Sequence, residues 1–312
     1  MPRIICAGLI AVDLVFEIAA FPIKGTKNRA TASQVITGGG ALNAASAITS
    51  LGGDVTLVGA IGDDEFGAFL RGKMFDRRID DRFVSVISGS STSRSANLIS
   101  QDGDRTIINH RDALLIPENV SLPAGFRFDA VLVDTRWPEG AARIVEAARR
   151  AGKPAVIDAE APVALASAAL TQASHVVFSE QGLADYCGGS GAEALEKAAR
   201  QLGNWCAVTR GALSVLCHDG HRLTEVPTCP AKAVNTLGAG DVWHGAFTLA
   251  LSQGHAEIDA VRWANAVASL KVSRPIHVEA MPTAAEVAAG GLTRAVPAGE
   301  KHSRPSQQDN DI

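Results

Sequence analysis

Asp241 is a carboxylate where simple anion binding would not place one. It follows Gly238, Ala239 and Gly240 and opens an apolar, helix-forming run through Val242, Trp243, His244 and Phe247. A Gly-rich turn at the start of a helix aims unpaired N–H groups and the positive end of the helix dipole at one point. Such a point suits a phosphate. A carboxylate beside it repels phosphate, but it makes sense if a hydroxyl lying between the two must lose a proton as it is phosphorylated. The plainer alternative is a first-turn helix acid after an ordinary glycine loop.

A second glycine cluster, Gly38-Gly39-Gly40, precedes Ala41, Leu42 and Asn43, and a small-residue helix follows, ending at Gly52-Gly53. Three glycines let a ligand approach the backbone closely, whereas the Gly pair is a helix C-cap signal. Close helix–sheet packing would also select small residues. Asp13 lies near a strand end, as a turn acid or a hydroxyl-binding carboxylate.

These residues need a scaffold, and the chain has enough apolar material for one. It has 312 residues, is 46% hydrophobic and carries a formal net charge of −4. The hydrophobic content excludes wholesale disorder, and without a long basic run the charge argues against a nucleic-acid partner. The five cysteines, 6, 187, 206, 217 and 229, form no CxxC pair. They fit a reducing cytosol rather than a disulfide framework. Asp13 and Glu17 interrupt the N-terminal apolar run, so neither a signal peptide nor a membrane span is expected, and the protein should be cytoplasmic.

Apolar strands are expected at Ile4–Leu9, Val12–Ile18, Asp54–Ile61, Ala130–Asp134, Ala155–Asp158, His175–Phe178 and Ala207–Thr209. Helical runs such as 139–150, 192–202, 241–252 and 257–272 alternate with the later strands. That alternation implies right-handed crossovers and a mostly parallel sheet, with ligands gathering at the carboxyl ends of its strands. No G-x-G-x-x-G follows the first strand, which removes the usual basis for a nicotinamide dehydrogenase. Hairpins are expected about Asp102-Gly103 and Asp219-Gly220. The first, with strands at 91–100 and 105–109, suggests a lid or a dimer edge. Cys217, His218, Asp219 and His221 crowd the second, but their spacing matches no zinc pattern and turn chemistry explains them. The polar tail at 297–312 should be disordered.

Together, the 234–247 stretch, the 38–43 segment and the alternating sheet resemble the PfkB/ribokinase family of carbohydrate kinases. The resemblance runs from Ile4 to Ala289, and its two signatures lie about 200 residues apart in the expected order and contexts. It implies a three-layer α/β/α fold with a small β-sheet lid in one kinase domain over 1–296, the lid strands coming from about 12–36 and 91–110. It also implies an ATP-dependent kinase that uses Mg²⁺. Asp241 would be the base, and Leu237, Gly238, Ala239 and Gly240 the anion hole. Asp13, Gly39, Gly40 and Asn43 would hold sugar hydroxyls. Thr209 and Gly211, with Gly238 and Gly240, would bind ATP, and Asn265 would lie near the adenine. Lids of this kind often pair into a homodimer.

Two departures stand out. The metal-associated N-x-x-E pattern is replaced by Ser179-Glu180-Gln181-Gly182, leaving Glu180 as a substitute metal residue. This keeps a catalytically silent sugar- or nucleotide-binding protein as an alternative. The loop that in many members binds a monovalent cation has lost its glycines, reading Ser273-Arg274-Pro275-Ile276-His277, so a K⁺ requirement is left open.

Details such as Asp134-Thr135-Arg136-Trp137, Trp243 and His244 are closest to the sulfofructose kinase branch. By that resemblance Lys27, Asn109 and Arg136 would hold a sulfonate. A guanidinium fork, a mobile ammonium and an amide donor would favour any anion at the sugar end far from the reacting hydroxyl. A phosphorylated ketose would satisfy the same donors, and a neutral ketose or ribose is the next rival. Taken singly, Lys27 could be an ordinary lid lysine, Asn109 a strand-end residue, and Arg136 a partner of Asp134.

Overall fold

The computed structural model describes residues 1–100, 104–117, 122, 125–275 and 281–290. The expected turn at Asp102-Gly103, the end of the 273–277 loop and the 297–312 tail lie outside these residues.

The chain begins with β1 (Arg3–Ala7), whose side chains alternate between two cores: Ile4 and Cys6 face one, Ile5 and Ala7 the other. This period-two pattern with apolar residues on both faces marks a strand buried between helical layers. The chain then makes β2 (Ala11–Ile18) and β3 (Ala32–Gly38), helix α1 (Gly40–Ser50), β4 (Asp54–Gly62), α2 (Glu65–Asp76) and β5 (Asp80–Ile87). Strands β6 (Ser93–Ser100) and β7 (Arg105–His110) follow, then β8 (Ala130–Asp134), α3 (Pro138–Arg150), β9 (Ala155–Ala159) and α4 (Ser167–Gln172). The chain continues through β10 (His175–Ser179), α5 (Glu180–Cys187), α6 (Gly191–Leu202), β11 (Trp205–Thr209), β12 (Val215–His218) and β13 (Leu223–Val226). Helices α7 (Ala239–Ser252), α8 (Glu257–Val272) and α9 (Ala284–Ala289) complete it.

The main sheet has the order β13-β12-β11-β10-β9-β8-β1-β4-β5, and its pairings are parallel from β5 to β11. Helices α1, α2, α7 and α8 pack on one face and α3 to α6 on the other. Strands β3-β2-β6-β7 form a separate four-stranded sheet, the lid sheet, built from the segments expected to make the lid.

One expectation is corrected, and one strand is added. β5, which is not among the strands expected from the sequence, is the edge strand of the main sheet and pairs parallel with β4. Helix α7 starts at Ala239 rather than Asp241, because Gly238 takes the left-handed conformation (φ 70°) that an N-cap with a side chain would resist. The Asp219-Gly220 hairpin forms as expected: Asp219 accepts the N–H groups of His221 and Arg222.

Candidate active site

The N-termini of α1 and α7 meet beneath the lid. Gly245 permits this, since a Cβ there would stand 2.8 Å from the carbonyl oxygen of Ala44. The small residues of α1 thus pack helix on helix, which places Asn43 against Asp241. Asn43 Nδ2 donates to Asp241 Oδ2 at 2.8 Å. Burial pushes the Asp241 carboxyl above the usual carboxylate range, and the Asn43 bond opposes that shift. A half-buried carboxylate with one oxygen held and a raised proton affinity suits a base that must take a hydroxyl proton near neutral pH. The first N–H groups of α7, which have no acceptor within the helix, project from the same turn.

Gly39 is held at φ 87°, and a Cβ on it would lie 2.4 Å from the Leu9 carbonyl oxygen. A Cβ on Gly38 would strike the Asp13 carboxylate at 2.5 Å, so that glycine makes room for Asp13. A Cβ on Gly40 would sit 3.5–3.9 Å from oxygens of Asp134, Asp241 and Asp158, which marks where three strand- and helix-end carboxylates converge.

The lid contributes a row of polar side chains. Asp13 on β2 pairs in register with Ser95 on β6, and Ser95 with Asn109 on β7. Register partners project from the same face, so Asp13, Ser95 and Asn109 line one side. Ser95 Oγ donates to Asp13 Oδ1, and burial raises the Asp13 carboxyl. From the end of β7, Arg105 Nη1 reaches Thr236 Oγ1 at 3.4 Å, joining the lid to the loop before α7.

At the carboxyl ends of β8 and β9 the arrangement differs from expectation. Arg136 pairs with Glu160 through Nη2 at 2.8 Å and donates Nη1 to the Ala161 carbonyl at 2.8 Å. Asp134 instead accepts the backbone N–H groups of Leu9 and Arg136. Arg111, just past β7, lies within electrostatic range of Arg136, Asp134 and Glu160. Lys27 and Asn109 are exposed.

His244, one turn into α7, donates Nδ1–H to the Gly240 carbonyl at 2.7 Å and turns Nε2 toward Asp158 Oδ1 at 3.5 Å. Burial pushes Asp158 up from 3.8 to about 7. Because the folded pKa lies above the unfolded one, the protonated carboxyl stabilises the fold fully below the unfolded pKa, and this is lost as pH rises through about 7. Asp158→Asn should therefore raise unfolding free energy at pH 8 by about 2 kcal/mol, with no gain at pH 3. Urea unfolding at the two pH values measures it, and an equal change at both would rule out the titration of Asp158 as the cause.

Thr209 closes β11, its Oγ1 directed at the Phe178 carbonyl oxygen 3.5 Å away, and Gly211 follows at φ 60°. Arg210 braces this loop by bonding the Ser214 carbonyl and Glu225. Asn265 is buried on α8 as an internal tie. It accepts Trp243 Nε1–H at 2.7 Å and donates to the Pro227 carbonyl at 3.0 Å, so both ends of its amide are occupied. Glu180 is an exposed first-turn acid of α5, whose N-cap Ser179 bonds Gly182 N–H.

A family model for the pfkB family carbohydrate kinases matches residues 1–284. The chain belongs to this family. Ribokinase of Bacillus subtilis is 26% identical over 301 residues, spanning 92% of this chain and 98% of that one. Fructokinase-1 of Zea mays is also 26% identical, spanning 91% and 96%. A crystal structure from Agrobacterium tumefaciens, provisionally assigned as a ribokinase, superposes with a TM-score of 0.88 at 31% identity and covers 94% of this chain and 98% of its own. The fold also matches Arabidopsis thaliana ribokinase in complex with ribose and ATP, with a TM-score of 0.81 at 23% identity, covering 95% and 99%. The chain is a carbohydrate kinase of ribokinase-like fold, a phosphotransferase acting on a sugar.

Lys271, Arg105, Arg111, Ser95, Asn97 and Asp158 were not singled out from the sequence. Strand alternation gives a signal for Ser95 and Asn97; for the others no local pattern exists, since their roles depend on partners distant in the chain.

Proposed function

We propose that this enzyme transfers the γ-phosphoryl group of ATP to a primary hydroxyl of a ketose that carries an anionic group at its far end, such as 6-deoxy-6-sulfofructose. The observation that carries the phosphoryl-transfer step is the 2.8 Å Asn43–Asp241 bond at the glycine turn of α7, which holds a half-buried carboxylate beside the helix N-terminus. Asp241 takes the proton of the acceptor hydroxyl. The N–H groups of Gly238 and Gly240 stabilise charge on the transferred group; that of Ala239 is donated to the Thr236 carbonyl at 3.2 Å. Asp13, Asn43 and the backbone at Gly39 and Gly40 hold the sugar; Asn43 keeps its Oδ1 for a hydroxyl because Nδ2 is taken.

Thr209 and Gly211 line the nucleotide side at the end of β11. Among the described residues no group of three or more His, Cys, Asp or Glu is arranged to hold a metal ion. Mg²⁺ dehydrates reluctantly, so an ion here would be held mainly by nucleotide phosphates and water. Glu180, exposed at the carboxyl edge of the sheet, is the acid to receive it through water; bound Mg²⁺ would neutralise phosphate charge.

Support for the anionic group comes from Arg111 and Arg136, whose like charges lie close enough to repel, with Lys27 and Asn109 on the lid segments. The rival is a neutral sugar, fructose or ribose, and the engagement of Arg136 by Glu160 favours it. An ATP-consumption screen over neutral, phosphorylated and sulfonated ketoses decides between them. With an anionic substrate, Arg111→Ala and Arg136→Ala should each lower kcat/KM about 10- to 100-fold, as expected for loss of a charged hydrogen bond. Equal losses with neutral and anionic sugars would refute the anion pocket. We further propose a cytoplasmic homodimer formed through the lid, whose Val35 and Ile108 are 46% and 63% exposed.

A further inference from the structure

Lys271 is a half-buried lysine that phosphoryl transfer, as derived above, does not use. It lies in the last turn of α8, where a cation is favoured by the helix dipole. Its Nζ donates to the carbonyl oxygen of Asn235 at 3.3 Å and, more closely, to that of Leu237. The adjoining helix-end carbonyl, that of Val272, accepts the N–H groups of Val234 at 2.7 Å and Asn235 at 3.0 Å. Asn235 Oδ1 in turn accepts Leu237 N–H at 3.0 Å. The loop is thereby clamped onto the end of α8, and the next residue is Gly238, the N-cap of α7.

The clamp has a directional consequence. In a trans peptide the C=O and N–H point opposite ways, so fixing the Leu237 carbonyl on Lys271 aims the Gly238 N–H away from Lys271, into the anion hole. The charged groups facing the ammonium are Asp241 on α7, which favours its charge, and Arg105 on β7, which opposes it. Burial and Arg105 together outweigh Asp241, so the ammonium is pushed down to about 8.

Monovalent cations are usually held by convergent carbonyl oxygens. Here two such oxygens already carry an ammonium, and a second cation at the same oxygens would be strongly repelled at that distance. Asn235 is neutral and supplies no carboxylate to offset the extra charge. We propose that Lys271 is a positioning residue whose tethered ammonium takes the place of a free monovalent cation in ordering the anion-hole loop, so that this kinase works without K⁺. The proposal rests on the phosphotransferase reading of the site.

The test compares KCl with tetramethylammonium chloride at equal ionic strength. Wild-type kcat and melting temperature should be the same in both salts. Lys271→Ala should lose about 10- to 100-fold in kcat, with little change in sugar KM, because the loop orients groups that act on the transition state. In that variant KCl should restore at least about fivefold of the loss and raise the melting temperature by about 2–4 °C, since the vacated carbonyls can then bind K⁺. Lys271→Arg, which keeps the charge, should retain kcat within about tenfold of wild type and stay insensitive to K⁺. Activation of the wild type by K⁺ of more than about fivefold would overturn the proposal. So would a Lys271→Ala protein that keeps wild-type kcat. If no sugar is phosphorylated at all, the kinase reading fails, and the melting comparison still decides whether Lys271 occupies the cation position.

Discussion

Asp241→Asn is expected to lower kcat by roughly 10²–10⁴ while KM for the sugar stays within a few-fold. The amide is isosteric with the carboxylate, so Asn43 Nδ2 retains an oxygen to bond and the two helix N-termini keep their spacing. Only proton affinity is lost. The substitution also removes a buried charge whose desolvation raises its pKa, so the variant should melt no lower than wild type. Single-turnover phosphoryl transfer together with a thermal melt would therefore separate chemistry from folding. A rate near that of wild type would move the base away from Asp241. The same carboxyl predicts the acid limb of the wild-type profile: kcat/KM falls as pH drops through its raised pKa, and the Asn variant should lack that limb.

Gly39→Ala should destabilise the protein by roughly 3 kcal/mol or more and reduce sugar binding in whatever remains folded. Two independent costs add. At φ 87° and ψ 134° the backbone occupies a region that L side chains avoid, and the new Cβ would lie 2.4 Å from the Leu9 carbonyl oxygen and 2.9 Å from the Ala11 nitrogen. Both contacts are backbone atoms at the junction of β1 and β2, so relief requires moving the lid root. Gly25 is the control: it has φ 81° but no atom within 4 Å of its Cβ position, so Gly25→Ala should cost only the backbone strain, about 1 kcal/mol. Chemical unfolding of the two variants measures the difference. Equal losses would show that strain alone, and not the close approach to Leu9, makes Gly39 necessary.

The two glycine clusters and their order were readable because glycine requirements are local: a left-handed N-cap at Gly238 and a forbidden backbone region at Gly39 depend on a few neighbouring atoms. The alternation of apolar strands with helices likewise specified a mostly parallel sheet, since burial on both faces writes itself into each short segment. Even so, close helix–sheet packing, the alternative reading of the small residues of α1, left out one partner: the fold also seats α1 on α7.

Ion-pair partners could not be read in this way. Arg136 had an acid two positions away in Asp134, yet it pairs with Glu160, because the carboxyl ends of β8 and β9 lie side by side and Asp134 is taken by backbone N–H groups. The partners of Asn265 were no more legible: the packing of α7 on α8 brings it to Trp243. Lys271 carries no local signal at all; its meaning arises only when the end of α8 meets the loop before α7. By itself the sequence determined the family and the layer order and pointed to Asp241 as the base, through constraints acting within a few residues. Tertiary structure alone decided which charges meet, because electrostatic and hydrogen-bond partners are set by distance in space and not along the chain.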